Sequence, residues 1–298
     1  MNVLETCGLG KRYRTTWALR DCSLSVPAGH VVALVGPNGA GKTTLLHLAV
    51  GLTRSTAGQV RVLDGQVPGS AAALAGIGFV AQDAPLYQHL SVADMLRVAR
   101  NLNGSWDAAR AHDRVASMGI STAKKVSALS GGQQAQLALT LALAKRPRLL
   151  ILDEPLARLD PLARHEFMSL LMAAAAEEEL SVIFSSHVVS ELERVADYLI
   201  VLNSGRLQVA GEVDGLLAAH RVLTGPAKLA AAVAAQVNLV QRTGAGAQAH
   251  LLCRMPWPDE SAPPGFRAHP VGLEELVLAY LRDPSAAALP GPAMAARP

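Results

Sequence analysis

Gly36, Gly39, Gly41, Lys42 and Thr43 stand in the run GPNGAGKTT (residues 36–44), directly after the apolar segment HVVALV, and match the spacing G-x-x-x-x-G-K-[ST]. Glycines let the backbone curl so that successive N–H groups and the N-terminus of a following helix face phosphate oxygens. A lysine at the end of the loop reaches the β and γ phosphates, and the next hydroxyl ligates Mg²⁺. A simple glycine turn before a helix accounts for the glycines but not for Lys42-Thr43. A second apolar run, LLILDE, ends on Asp153 and Glu154. An aspartate there can hold Mg²⁺, and an adjacent carboxylate can orient and deprotonate an attacking water. An isolated acidic pair after a strand is more often a loop start or a helix cap. Beside a phosphate loop, it points to hydrolysis of MgATP.

Between these motifs stands LSGGQ at residues 129–133. With it, the sequence resembles the ATP-binding cassette ATPases, and the resemblance runs from about residue 3 to 217. Ser130-Gly131-Gly132 could by themselves be a serine-capped helix start. The remaining family positions follow in order: Tyr13, Gln82 in FVAQD, Asp160 in LARLD and His187 in FSSH. Each has a plainer reading as a strand, loop or cap residue, and their joint order is what carries the resemblance.

The resemblance implies a head-to-tail pair of copies, with each ATP between the phosphate loop of one and the LSGGQ segment of the other. It assigns adenine stacking to Tyr13 and nucleotide contacts to Gly36, Pro37, Asn38, Gly39, Ala40, Gly41, Lys42, Thr43 and Thr44. Ser130, Gly131, Gly132 and Gln133 would contact the nucleotide of the second copy, and Asp160 is a further nucleotide-binding position. Thr43, Gln82 and Asp153 would hold Mg²⁺. Glu154 would be the general base, His187 a donor to the γ-phosphate, and Gln82 a contact to the attacking water. The pattern departs from the family at Gln136, where arginine is common, at Thr140-Leu141 for a frequent Ala-Arg, and at Arg158, where a small residue is usual. These changes bear on partner-facing contacts and on rate.

The insertion APLYQHLSVADMLRVARNLNG and the closing segment GLEELVLAYL resemble those of multidrug and antibiotic exporters. The resemblance therefore implies a transport ATPase, cytoplasmic and peripheral on the inner face of the membrane, working with a separate integral membrane permease. The apolar stripe Val92, Met95, Leu96, Val98 and Ala99 reads as packing before it reads as a docking groove. The rival is a soluble cassette protein acting on ribosomes or DNA. Such relatives usually carry two cassettes in one chain or a long coiled-coil insertion, and this sequence has neither. A third reading is a regulatory cassette whose Ala-rich tail from about residue 220 binds an effector or pairs with its copy.

The elements needed to position these residues are also legible. Apolar, β-branched runs at 31–35, 59–63, 77–81, 149–152, 182–185 and 198–202 alternate with helical patterns, which predicts an α/β fold with a mostly parallel sheet covered on both faces. The full expectation is a phosphate-loop NTPase core with an antiparallel β subdomain, a helical insertion over about 83–130, and a small C-terminal α/β module. The boundaries fall at 1–218 for the cassette, 219–282 for the module and 283–298 for a disordered tail. Ser91 followed by Asp94 predicts a capped helix start. The chain of 298 residues, 50% hydrophobic and 17% charged, can bury a real core. A net charge of +3 without a Lys/Arg run gives no electrostatic footprint for nucleic acid. Cys7, Cys22 and Cys253 have no paired spacing, which fits a reducing compartment better than a disulfide framework or a zinc site. His220, His250 and His269 are too scattered for a metal site. No apolar stretch reaches the roughly 18–20 residues that span a bilayer, and the N-terminus lacks a secretory pattern.

Overall fold

The computed structural model describes residues 1–83, 85–157, 159–178, 180–186, 193, 195–254 and 262–283. Its centre is a six-stranded sheet: β3 (Val31–Val35), β5 (Ile77–Val80), β6 (Leu149–Leu152), β7 (Ser181–Ser186), β8 (Tyr198–Asn203) and β9 (Arg206–Glu212). The spatial order is β5-β6-β7-β3-β8-β9, parallel throughout except for antiparallel β9. Strand alternation sends side chains to two different cores. On β3, Val31, Ala33 and Val35 face one core, while Val32 and Leu34 face the other. Leu150 and Leu152 against Leu149 and Ile151 repeat the division on β6. Both faces are covered, so these strands read in the sequence as unbroken apolar runs.

One face carries α1 (Lys42–Val50) and a three-stranded antiparallel sheet of β1 (Asn2–Tyr13), β2 (Thr16–Pro27) and β4 (Ala57–Val62), in the order β2-β1-β4. The sequence strand pattern located β4 but not the long β1–β2 hairpin. Its burial is interrupted by register shifts at Thr6/Leu9 and Leu9/Lys11, which break the two-residue period. The short helix α2 (Ala71–Gly76) precedes β5. The opposite face is covered by α5 (Gly131–Ala144) and α6 (Pro161–Glu178).

Between β5 and α5 lie α3 (Val92–Leu102) and α4 (Ala108–Ser117), with a 3₁₀ turn at Val126–Ala128. Ser91 caps α3 by accepting from the Asp94 N–H at 3.1 Å. Val92, Met95 and Leu96 are buried against Ala111, Val115, Val126 and Leu137, so this part of the apolar stripe is packing.

The C-terminal segment contains α7 (Val213–Ala219), β10 (His220–Pro226), α8 (Ala230–Ala234), β11 (Asn238–Ala245), β12 (Gln248–Arg254), β13 (Arg267–Pro270) and α9 (Leu273–Arg282). Its antiparallel sheet has the order β11-β12-β10-β13. One face, with Leu223, Leu251 and Cys253, packs on α8. The other, with Val222, Val240 and Leu252, shares a core with α9 and with Leu199 and Val201 of β8. The segment is thus joined to the central sheet by continuous apolar packing. The expected tail from residue 284 onward lies outside the described residues.

The junction holds a buried histidine. His220 Nδ1 lies 2.7 Å from the Leu216 carbonyl oxygen, and Nε2 lies 2.8 Å from the Tyr280 hydroxyl. A carbonyl only accepts, so Nδ1 carries the proton and Nε2 accepts from Tyr280. Burial pushes the His220 pKa below its ordinary value and the Tyr280 pKa up to about 12. The folded chain therefore favours the neutral imidazole, while the unfolded chain takes up a proton below about pH 6.5. The contribution is fully present above that pH and is lost as pH falls below it. Thermal unfolding should show a midpoint that drops between pH 7.5 and 5.5, with a slope from this group of at most about 1.4 kcal/mol per pH unit. His220→Gln should flatten that part of the profile, and an unchanged profile would refute the assignment.

Candidate active site

The carboxyl ends of β3, β6 and β7 lie side by side, because Val35 is in register with Ser186 and Leu152 with Phe184. Everything that follows these strands is therefore gathered at one edge of the sheet. After β3 comes the loop 36–41 and then α1. Pro37, Asn38 and Gly39 form an exposed tip, while Gly36, Ala40 and Lys42 are buried. Gly39 and Gly41 have φ of +80° and +103°, which side chains with a Cβ rarely adopt. A Cβ at Gly36 would overlap the Leu202 carbonyl oxygen, and one at Gly41 would come within 2.5 Å of the Ala18 carbonyl oxygen. The loop is thus a ribbon of bare backbone clamped from behind by β8 and β2.

Gly41 precedes α1 without any side-chain cap. The first-turn N–H groups of Lys42, Thr43 and Thr44 have no intrahelical acceptor and point beyond the helix end, where the macrodipole is positive. Lys42, 5% exposed, donates to the Gly36 carbonyl at 2.8 Å, and its Nζ lies 3.0 Å from Glu154 Oε1. An uncapped helix start, a bare-backbone loop and a buried cation fit the phosphates of a nucleotide. Thr43, exposed in the first turn, and Asp153, 1% exposed, supply oxygen donors of the type that Mg²⁺ takes.

Asp153 and Glu154 follow β6. The Asp153 N–H donates to the Val80 carbonyl at 2.9 Å, which ties β5 to β6 just before the turn that carries Gln82. Glu154 has φ +46°, an unfavourable value for a residue with a Cβ. Ser185, fully buried on β7, holds it there. Its hydroxyl accepts from the Glu154 N–H at 2.8 Å and donates to Asp153 Oδ1 at 2.8 Å. One hydroxyl thus sets both the Asp153 carboxylate and the backbone from which Glu154 reaches Lys42. The sequence reading missed Ser185. Its signal was a polar residue inside a strand buried on both faces.

The LSGGQ segment lies elsewhere. Ser130 caps α5: its Oγ accepts from the Gln133 N–H at 3.2 Å, and Gln133 Oε1 accepts from the Ser130 N–H at 3.1 Å. Accepting that bond leaves the serine O–H proton available as a donor. Asp160 likewise caps α6, with Oδ1 accepting from the Ala163 N–H at 2.9 Å. The two helix starts touch, since a Cβ on Gly132 would lie 2.8 Å from Ala163 Cβ. Together they line a cavity of about 700 Å³ to which no residue of the phosphate loop contributes. The cavity beside the LSGGQ segment is thus separate in its lining from the loop 36–41.

Tyr13 is 47% exposed at the tip of the β1–β2 hairpin, with Lys11 Nζ 5.0 Å from its ring centroid. The hairpin is tied to the loop by the approach of Ala18 and Leu19 to Gly41. Gln82 is exposed beyond β5. His187 and Arg158 lie outside the described residues. Gln136, at the position where the family commonly has arginine, donates to Glu166 on α6 at 2.9 Å, and the Thr140 hydroxyl donates to the Gln136 carbonyl at 2.8 Å. Both departures are therefore accommodated by bonds within α5 or between α5 and α6.

A family model described as ABC transporter matches residues 19–157. The chain is 38% identical to an Fe(3+) ions import ATP-binding protein of Pseudomonas fluorescens, over 71% of this chain but only 62% of that protein. It is 34% identical to a Nod factor export ATP-binding protein of a Bradyrhizobium species, over 73% of each. Among solved structures, an ATP-binding subunit of an ABC transporter superposes with a TM-score of 0.64 at 27% identity, over 72% of this chain and 91% of that one.

Ser185→Ala should leave the part-buried Glu154 N–H and an oxygen of the buried Asp153 without this partner. The expected cost is about 1–3 kcal/mol in urea unfolding, together with weaker Mg²⁺-dependent nucleotide binding. Unchanged values of both would remove Ser185 from the site.

Proposed function

Because the chain belongs to the ATP-binding cassette transporter family, in which it is an ATPase, we propose that it powers a transporter as a pair of copies bound to a separate membrane permease. The observation that supports this most is the separation within one chain of an uncapped, lysine-bearing phosphate loop from a glycine-opened helix start with a serine donor. Either half can grip phosphate from one side only, so a second copy in head-to-tail orientation completes the site. Such a pair also provides a two-state interface: it closes on the γ-phosphate and loses its charge-assisted bonds on hydrolysis.

In this reading, the N–H groups at the start of α1 and the Lys42 ammonium hold the β and γ phosphates. Glu154 accepts a proton from the attacking water, and its fixed backbone keeps the carboxylate at the phosphate end of the loop. Mg²⁺, held by Thr43 and Asp153 with Gln82, would neutralise charge on the phosphate oxygens. Tyr13 offers an exposed ring for adenine, and Ser130, Gly131, Gly132, Gln133 and Asp160 face the nucleotide of the second copy. His187 is assigned its γ-phosphate contact on sequence grounds alone. We divide the chain into a cassette (1–218), a C-terminal module (219–282) and a tail. Among the described residues, no helix is long and apolar enough to cross a membrane. In this reading the permease is a separate polypeptide and the chain sits peripherally on the cytoplasmic face of the membrane.

For direction, the insertion and closing helix favour export of a drug-like or lipid-like compound. The compared relatives lean the other way: most are named for import, of Fe(3+) ions, sulfate/thiosulfate or aliphatic sulfonates, and one for export of a Nod factor. Transport in inside-out vesicles with the co-purified membrane subunit decides it.

Glu154→Gln should lower the ATPase rate by about 10²–10⁴-fold while nucleotide binding persists and an ATP-bound dimer accumulates in gel filtration. Wild-type turnover would refute the base. Lys42→Ala removes the loop cation and should raise the ATP Kd by about tenfold or more, as measured by equilibrium dialysis.

A further inference from the structure

Beyond the stretch matched by the family model, both ends of α9 are bonded to distant segments, and the one at its C-terminal end backs the phosphate loop. At its C-terminal end, the side chain of Asn203, 6% exposed, donates to the Leu281 carbonyl at 2.7 Å. Leu281 lies in the last turn of α9, where carbonyls have no intrahelical partner, so a side chain must supply the donor. At the other end, the Glu274 N–H donates to the Glu193 carboxylate at 3.1 Å, in the segment between β7 and β8.

Asn203 opens the tight turn from β8 to β9, in which it pairs with Arg206. Ser204 and Gly205 have φ of +50° and +73°. Two successive positive values are what a two-residue hairpin requires, and they are unfavourable for the serine. The turn is thus held by its anchors and not by local preference. It backs the phosphate loop directly. Leu202, the residue before Asn203, places its carbonyl oxygen where a Cβ of Gly36 would go. The Gly205 N–H donates to the Ala40 carbonyl at 3.2 Å, and the Gly205 carbonyl accepts from the Arg20 N–H of β2 at 2.7 Å. Leu281 is in turn fixed by its neighbour Tyr280, through the bond to His220.

We propose that α9 is a positioning element of the phosphate site, through a chain in which the Leu281 carbonyl holds Asn203, Asn203 holds the β8–β9 turn, and the turn holds the curvature of residues 36–41. Docking of the C-terminal segment then sets the affinity for ATP. This makes Asn203 a positioning residue that never touches nucleotide, and it gives the segment outside the family match a route to the site. The inference rests on residues 36–44 being the nucleotide-phosphate site.

The test uses the full-length protein and a Mg²⁺-bound, non-hydrolysable ATP analogue. Asn203→Asp keeps the side-chain shape but cannot donate to Leu281, and Tyr280→Phe loosens the same helix end from the other side. Asn203→Asp should raise the analogue Kd by about tenfold, the equivalent of one hydrogen bond, and speed amide exchange in residues 36–41. KM for ATP should rise while kcat at saturation stays within about twofold. Tyr280→Phe should shift Kd the same way by a smaller factor, and the double variant should bind no more weakly than Asn203→Asp alone. If the wild type binds the analogue and both variants match its Kd, the inference is overturned. It is overturned equally if the variants lose kcat and melting temperature with Kd unchanged. Should Asn203→Asp not fold, Tyr280→Phe alone carries the same decision. A wild-type protein that does not bind the analogue would overturn the nucleotide assignment itself.

Discussion

Five neighbouring strands run parallel with apolar side chains on both faces, and this burial leaves their ends as the places along them where polar groups can be collected. The register aligns the carboxyl ends of β3, β6 and β7, so the phosphate loop, the Asp153-Glu154 pair and Ser185 emerge within bonding reach of one another. The site follows from this geometry. A glycine loop placed after any other strand arrangement would not find a buried serine bonded to both an aspartate and the backbone of the next residue.

The second constraint is close approach. The loop has no room for side chains at Gly36 or Gly41 because the backbones of β8 and β2 press against it. Such contacts make the loop a rigid surface of amides and not a flexible turn. The same crowding makes it sensitive to whatever sets the position of the strands behind it. The β8–β9 turn is one such support, and through Asn203 it is bonded to α9. A small C-terminal segment that shares a core with β8 therefore lies next to the chemistry, although its sequence carries no catalytic pattern.

The residues that depart from the family pattern show how a packed interior absorbs change. Gln136 replaces a charged side chain by a neutral amide that is 8% exposed and bonded to Glu166. Thr140, fully buried, returns its hydroxyl to the Gln136 carbonyl one turn earlier, a local solution that leaves no donor unmet. Both bonds fix α5 and its contact with α6, the two helices whose starts carry Ser130 and Asp160.

The sequence by itself determined the local patterns on which the proposed chemistry rests: the loop at 36–44, the acidic pair at 153–154 and the serine-glycine helix start have spacings that dictate their backbone shape. It also determined the five parallel strands of the central sheet, because burial on both faces writes an unbroken apolar run, and the capped start of α3 at Ser91, but not the half-exposed antiparallel edge strand β9. Only the tertiary structure decided what depends on residues distant in the chain. Ser185 meets Asp153 across neighbouring strands, Asn203 meets Leu281 across nearly 80 positions, and the C-terminal sheet joins the main core through α9. The β1–β2 hairpin stayed hidden because register shifts disrupt the alternation that marks a strand. Short-range pattern records what a residue's neighbours require of it, whereas a hydrogen bond between distant segments leaves no trace in the spacing of either partner.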